Sequence, residues 1–217
     1  MQMLTEHLRK TESPPTSHEP DVARVLTVPG LDGSGPRHWQ SYWEHLSGFR
    51  RVVMPEEARP RFHVWLPALD TAIRLSARPV VIAAHSLGCL ALAWWAAMLS
   101  GEKADRLVHA ALLVAPPDVD GLETSERIRD FRPTPRWQLP FPTILVASRN
   151  DPFAAYERSE QMAANWGSQL VDAGKAGHLN AESGLAEWPA GLRLLCGLSG
   201  HNANRLVAEL GLRVALA

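Results

Sequence analysis

A hydroxyl, a carboxylate and an imidazole occur along this chain in the order that nucleophilic acyl transfer needs. Ser86 lies in "AAHSLGCLALAWW", Asp151 in "VASRNDPF" and His178 in "DAGKAGHLNAESG". A serine hydroxyl attacks a carbonyl carbon only when a base takes its proton, and an imidazole base needs an acid to hold its tautomer. Ser, then Asp, then His is the order found where the serine sits on a strand-to-helix nucleophile turn. Ala84-His85-Ser86-Leu87-Gly88 reads as such a turn, with alanine in place of its first glycine. The turn crowds the positions two before and two after the serine, and both residues here are small. The helix that follows directs its positive end at whatever Ser86 attacks.

Each residue also has a plainer reading. Serine often caps a helix, an aspartate before proline often closes a turn, and His178 is one of nine histidines. Asp118, Asp120 and Asp130 are rival acids, but they stand in a long connection, whereas Asp151 follows an apolar run. His85 points elsewhere if Ser86 is at the apex, and it is assigned no proton transfer. The joint match in order, residue type and strand-end position favours the triad. Acyl transfer also needs donors for the developing oxyanion. The backbone N–H of Leu87 is one, and that of Leu31, in "TVPGLDGSGPRHW", is the other. Gly30, Gly33 and Gly35 have a rival reading as a dinucleotide-binding turn, but the G-x-x-G-x-G spacing and Pro36 speak against it. Asp32 would repel an oxyanion, so its side chain is expected to face away and hold the loop.

Positioning such groups requires a rigid edge. Apolar runs at 24–29, 50–55, 79–84, 110–116, 142–148 and 168–174 read as strands, several of them apolar throughout and so covered on both faces. Helical patterns at 38–46, 63–76, 87–99, 155–166 and 187–198 alternate with them, the last with Pro189 near its first turn. This rhythm predicts an α/β fold with a mainly parallel sheet flanked by helices. The site then belongs at the carboxyl ends of the strands, in the turns after Val28, Ala84, Ala115, Ser148 and Gly174. The proline-rich segment 116–141 either covers that site or is a surface excursion. Residues 1–21 read as a mobile tail, 22–198 as the domain, and 199–217 as an appended extension with a weak helix.

Composition excludes several classes. Lys plus Arg is 22 and Asp plus Glu is 23, so the formal net charge is −1, which argues against a nucleic-acid partner. The N-terminus lacks the apolar core of a secretory signal, and no apolar run reaches the roughly 18 residues of a membrane span. A cytoplasmic protein is expected. Cys89 and Cys196 read as buried free thiols, and no metal-ligand spacing appears. Trp94, Trp95 and Trp137 could line a pocket, although core packing is the commoner fate of tryptophan.

At "PGLDGSGPRHWQSYWE", "AAHSLGCLALAWW", "LPFPTILVASRNDPF" and "AGHLNAESGLAEWPAG" the sequence resembles the retinoblastoma-binding-protein-9/YdeN-like serine hydrolases, over about residues 23–198. The resemblance implies a three-layer α/β-hydrolase fold, with a mainly parallel six-stranded sheet and no large lid domain. By position the family's nucleophile falls on Ser86, its acid on Asp151, its base on His178 and its glycine loop on Gly30 to Gly35. Its His-Trp pair falls on His38 and Trp39, and Trp39 is read as a packing anchor. The expected reaction is hydrolysis of a small carboxylic ester through an acyl-enzyme, without metal or organic cofactor, and a monomer is the default for so small a hydrolase. Members are linked to esterase activity and in one case to peptide-bond hydrolysis. Amide or peptide hydrolysis is therefore an alternative, as are a protein-binding scaffold with little turnover and a nucleotide-dependent enzyme.

Overall fold

The apolar runs become strands of one sheet, and helices cover both of its faces. The computed structural model describes residues 23–211 except 100, 122 and 123. The expected N-terminal tail, 1–21, and residues 212–217 of the expected extension lie outside the described residues. In chain order the elements are β1 (Val25–Val28), α1 (Trp39–Trp43), β2 (Phe49–Arg51), α2 (Phe62–Arg74), β3 (Val80–His85), α3 (Leu87–Met98), α4 (Gly101–Ala104), β4 (Val108–Val114), β5 (Thr143–Ala147), α5 (Tyr156–Trp166), β6 (Gln169–Asp172), α6 (Pro189–Ser199) and α7 (Ala203–Glu209). Short 3-10 turns lie at Glu126–Phe131 and Ala181–Ser183.

All six strands pair in parallel, in the order β2-β1-β3-β4-β5-β6. The chain steps outward from β1 to β2, then returns to place β3 on the other side of β1. The order therefore reverses between β1 and β3, and ligands gather beyond the carboxyl ends of strands at such a point. Gly30 follows β1 and Ser86 follows β3, so the glycine loop and the serine meet there.

Alternate strand residues feed two separate cores, as a pleated sheet requires. Leu26, Val28, Ile82, Ala84 and Leu113 pack against α2, α3 and α5. Val25, Val81, Ala83, Leu112 and Val114 pack against α1, α6 and α7. The result is the expected three-layer α/β architecture. Two elements are shorter than their sequence patterns suggest. β2 ends at Arg51; Val52 makes one more bond to the Thr27 carbonyl (2.9 Å), and the chain turns at Pro55. α1 closes at Trp43, with Glu44 as its C-cap.

The described residues of the connection 116–141 form no separate lid domain. Ile128, Phe131, Leu139 and Phe141 are buried in the core that contains α2 and α3. Trp94 Nε1–H donates to the Phe131 carbonyl (3.0 Å) and Trp166 Nε1–H to that of Pro135 (2.9 Å). Through these bonds Trp94 and Trp166 are tied to the connection. Trp95 is buried and donates to Asp70 (3.0 Å), whereas Trp137 is exposed. Cys89 and Cys196 are both buried free thiols. Among the described residues no helix is long and apolar enough to cross a membrane.

The corner between β3 and α3 depends on Gly88. A Cβ there would lie 2.6 Å from the carbonyl oxygens of both Val28 and Pro29. Gly88→Ala is expected to cost about 2 kcal/mol or more, lowering Tm by roughly 4–8 °C. Gly197, exposed within α6 and with nothing within 4 Å of an added Cβ, is the control. Gly197→Ala should stabilise by about 0.5–1 kcal/mol, because alanine restricts the unfolded chain. Thermal denaturation of the two variants checks both signs.

Candidate active site

Ser86 joins β3 to α3 with φ 52° and ψ −125°, a conformation rarely adopted by residues other than glycine. Strain of this kind costs about 1–3 kcal/mol and persists only where the surroundings enforce it. Here its N–H donates to the Val114 carbonyl (2.9 Å). The glycine loop presses from above, where a Cβ on Gly30 would lie 2.7 Å from Ser86 Cβ. Among the described residues the Ser86 hydroxyl makes no capping bond to α3, so it is not the ordinary helix cap. Gly30 is a glycine because its backbone lies against the serine, a contact that accounts for the residue by packing.

His178 and Asp151 arrive on the loops after β6 and β5. His178 Nδ1 is 2.9 Å from both carboxylate oxygens of Asp151, and its Nε2 is 2.9 Å from Ser86 Oγ. A carboxylate only accepts, so Nδ1 carries the ring hydrogen and bare Nε2 accepts the hydroxyl proton of Ser86. The His178 and Asp151 side chains are 8% and 4% exposed, so water competes little for these bonds. Asp151 Oδ1 also accepts from the Phe153 N–H (2.9 Å).

Hydrogen bonds from several elements hold the loop of His178. The N–H groups of Ala176 and Gly177 donate to Ser148 Oγ (2.9 Å) and Asn150 Oδ1 (2.8 Å). These two bonds tie the acid's loop to the base's, and Ser148 Oγ–H donates in turn to Asn150 Oδ1 (2.9 Å), which braces the two acceptors against each other. Trp39 Nε1–H donates to the Leu179 carbonyl, and His85 Nε2 meets the His178 carbonyl, each at 2.9 Å. Trp39 is thus a packing anchor that also fixes the residue after the base. Sequence reasoning missed Gln40, fully buried beside it. Its Nε2 donates to the carbonyls of Val28 (3.0 Å) and Ala83 (2.8 Å), and its Oε1 accepts from Ser34 Oγ. The available signal was an amide placed between Trp39 and Trp43 on a buried helix face.

A cavity of about 870 Å³ opens over Ser86 and His178. Leu31 and Leu87, the two expected oxyanion donors, line it beside Pro117, Ile128 and Phe153. The first part of the connection 116–141 therefore forms one wall. The rival acids are engaged elsewhere: Asp118 and Asp120 pair with Arg158, and Asp130 accepts the Phe62 N–H at the start of α2. Asp32 pairs with Arg127, which also donates to the Ala58 carbonyl.

Two further histidines lie under the site. Burial, with smaller contributions from Arg51 and His178, lowers His38 from 6.5 to about 3. Burial also holds His85 well below 6.5, helped by His38 and His178. Both rings are neutral in the fold but take up protons in the unfolded chain below about 6.5. Stability is therefore complete above that pH and falls below it, by about 1.4 kcal/mol per pH unit for each ring. Tm is expected to drop as the pH is lowered from about 7.5 to 5; a flat profile would mean that the rings are protonated in the fold.

A model of the family described as "Serine hydrolase" matches residues 25–196. The crystal structure of a YdeN-like hydrolase from Pectobacterium atrosepticum is similar, at 31% identity and TM-score 0.70, over 85% of this chain and 92% of that one. The ydeN gene product of B. subtilis follows at 18% identity and TM-score 0.63, over 81% and 98% of the two chains. Est1E from Butyrivibrio proteoclasticus, in a structure with ferulic acid bound, shares the fold at 16% identity and TM-score 0.57, over 84% and 92%. No curated protein matches the chain. The extent of the family match and the likeness to the Pectobacterium protein, taken with the α/β-hydrolase fold, lead to one conclusion: the chain belongs to the YdeN-like serine hydrolases.

Proposed function

We propose that this protein is an esterase that cleaves small carboxylic esters through an acyl-enzyme. The observation that carries the reading is the unbroken run of hydrogen bonds from Ser86 Oγ through His178 to Asp151. Ser86 Oγ attacks the ester carbonyl carbon while its proton passes to His178 Nε2. Asp151 stabilises the imidazolium so formed and keeps Nδ1 protonated. The tetrahedral oxyanion lies toward the backbone N–H groups of Leu31 and Leu87, a type of stabilisation worth several kcal/mol in the barrier. The C–O bond to the alcohol then breaks, and His178 returns the proton to the leaving oxygen. Water attacks the acyl-Ser86 carbonyl with His178 again as base, and the carboxylic acid leaves. The apolar side chains of Leu31, Ile128 and Phe153 in the cavity wall suit an uncharged acyl or alcohol group.

Hydrolysis of p-nitrophenyl acetate and butyrate, with fluorophosphonate labelling in parallel, tests this. The wild type is expected to turn over both esters and to be labelled. Ser86→Ala should abolish labelling and reduce turnover by roughly 10³-fold or more. Asp151→Asn should keep the fold and lower kcat by about 10³–10⁴-fold, because an amide can hold the imidazole in the wrong tautomer. Undiminished ester turnover in Ser86→Ala would end the proposal. Labelling without ester turnover in the wild type would favour amide or peptide substrates.

A further inference from the structure

His85 is a buried polar ring next to the nucleophile that the proposed reaction does not use. It is 4% exposed, packed edge-on to His38 (ring centroids 4.6 Å apart) and against His178 (4.9 Å). Its Nε2 lies 2.9 Å from the main-chain oxygen of His178. A carbonyl oxygen can only accept, so Nε2 carries the hydrogen and His85 is the donor. Nothing in simple packing requires this arrangement. An apolar side chain at the end of β3 would fill the space without burying a polar ring, which costs free energy unless its bond is made.

We infer that His85 is a positioning residue, whose Nε2–H, bound to the His178 carbonyl, sets where the base stands relative to Ser86 Oγ. The inference rests on reading Ser86 and His178 as nucleophile and base. The grasped carbonyl belongs to the peptide between His178 and Leu179, and Leu179 has φ 50°, outside the usual range for its type. That peptide's orientation sets ψ of His178 and φ of Leu179, and with them the direction of the His178 side chain. The other anchors act on its neighbours: Ala176 and Gly177 through their N–H groups, Leu179 through its carbonyl. The N–H of the same peptide, that of Leu179, donates to the Ala176 carbonyl within the loop (3.4 Å), so of these anchors it is His85 that grips this peptide from outside the loop, and it does so from the residue adjoining Ser86. Nucleophile and base are thereby referenced to the same point at the end of β3, so a displacement of that strand end carries both together.

Two measurements test this. Nitrogen NMR of protein labelled at its histidines reads the His85 tautomer without any substrate. The expected result is a neutral, Nε2-protonated ring from about pH 5 to 8; an Nδ1-protonated ring, or one titrating near the ordinary histidine value, overturns the inference. The second is a variant series assayed with p-nitrophenyl butyrate. Gln places an amide nitrogen where His has Nε2, Asn falls short of it, and Leu offers no donor. His85→Gln should stay within a few-fold of wild-type kcat, whereas His85→Asn and His85→Leu lose roughly 10–10²-fold, with KM little changed. His85→Leu keeping wild-type kcat would overturn the inference, as would equal losses in Gln and Leu variants of equal Tm. If the wild type hydrolyses no ester, the esterase reading fails. The tautomer, and the His178 Nδ1–H signal compared between wild type and His85→Leu, then still decide the role of His85: an unchanged signal in that variant counts against it.

Discussion

The hydrogen bond from Ser86 to His178 joins residues 92 positions apart, and the carboxyl edge of the sheet is built around its tolerance for error. A misplacement of about 1 Å at such a contact can cost 10²-fold in rate. The chain meets that demand with enforced backbone strain rather than with a flexible loop. Ser86, Ala115 and Leu179 all carry positive φ without being glycine, at the ends of β3 and β4 and beside the base. Strain of about 1–3 kcal/mol per residue is retained because neighbours fix each peptide from several sides. The Ser86 N–H is held by the Val114 carbonyl and the Ala115 N–H by that of Val146, so the strained corners are extensions of the sheet's own ladder.

The two faces of the sheet divide this work. Beneath α3 the packing is close and small-residued, with Gly88, Ala91 and Ala93 fully buried and the helix drawn against β1 and β3. On the other face the layer is aromatic. Trp43 stacks on Trp188 at 5.9 Å with an interplanar angle of 11°, and Trp39 meets both at an angle. Both α1 tryptophans spend their indole N–H on the segment that carries or follows the base, at Leu179 and Glu187. Large, stiff side chains with one donor each suit this task, since burial fixes the ring and the N–H then fixes a loop. The short helix α1 is therefore less a structural layer than a clamp on the His178 loop.

Much of this was legible in the sequence, and the limits have physical causes. Apolar runs that do not alternate signalled strands covered on both faces, and the small residues at positions 84 and 88 signalled a crowded corner. The order Ser86, Asp151, His178 needed only the rule that parallel strands end on one edge. Three things were hidden. The short edge strand β2 could not be bounded, because its pairing is limited by a single neighbour. The course of 116–141 was open, since proline-rich stretches lack periodicity; burial of Ile128 and Phe131 settled it. The supports of the site were invisible because they act through main-chain oxygens: nothing in the types His85, Gln40 or Asn150 announces a carbonyl or N–H brought near from elsewhere in the chain.

Asp32 illustrates how such supports reconcile conflicting demands. A carboxylate one residue from a proposed oxyanion donor would oppose the charge developing there. In the structure its N–H is held by the Glu57 carbonyl (2.9 Å), its φ is 62°, and its carboxylate is bound to Arg127. Arg127 is itself anchored by two bonds to the Ala58 carbonyl, at 2.9 and 2.7 Å, so the guanidinium is fixed by main chain and not by the ion pair alone. An exposed ion pair by itself would contribute little to stability. Its value here is geometric: the same contact that neutralises the carboxylate links the glycine loop over Ser86 to the 3-10 turn that carries Ile128. The loop bearing Leu31 and the wall of the cavity are thus set by one side chain, and the acid that looked out of place is the point at which they are joined.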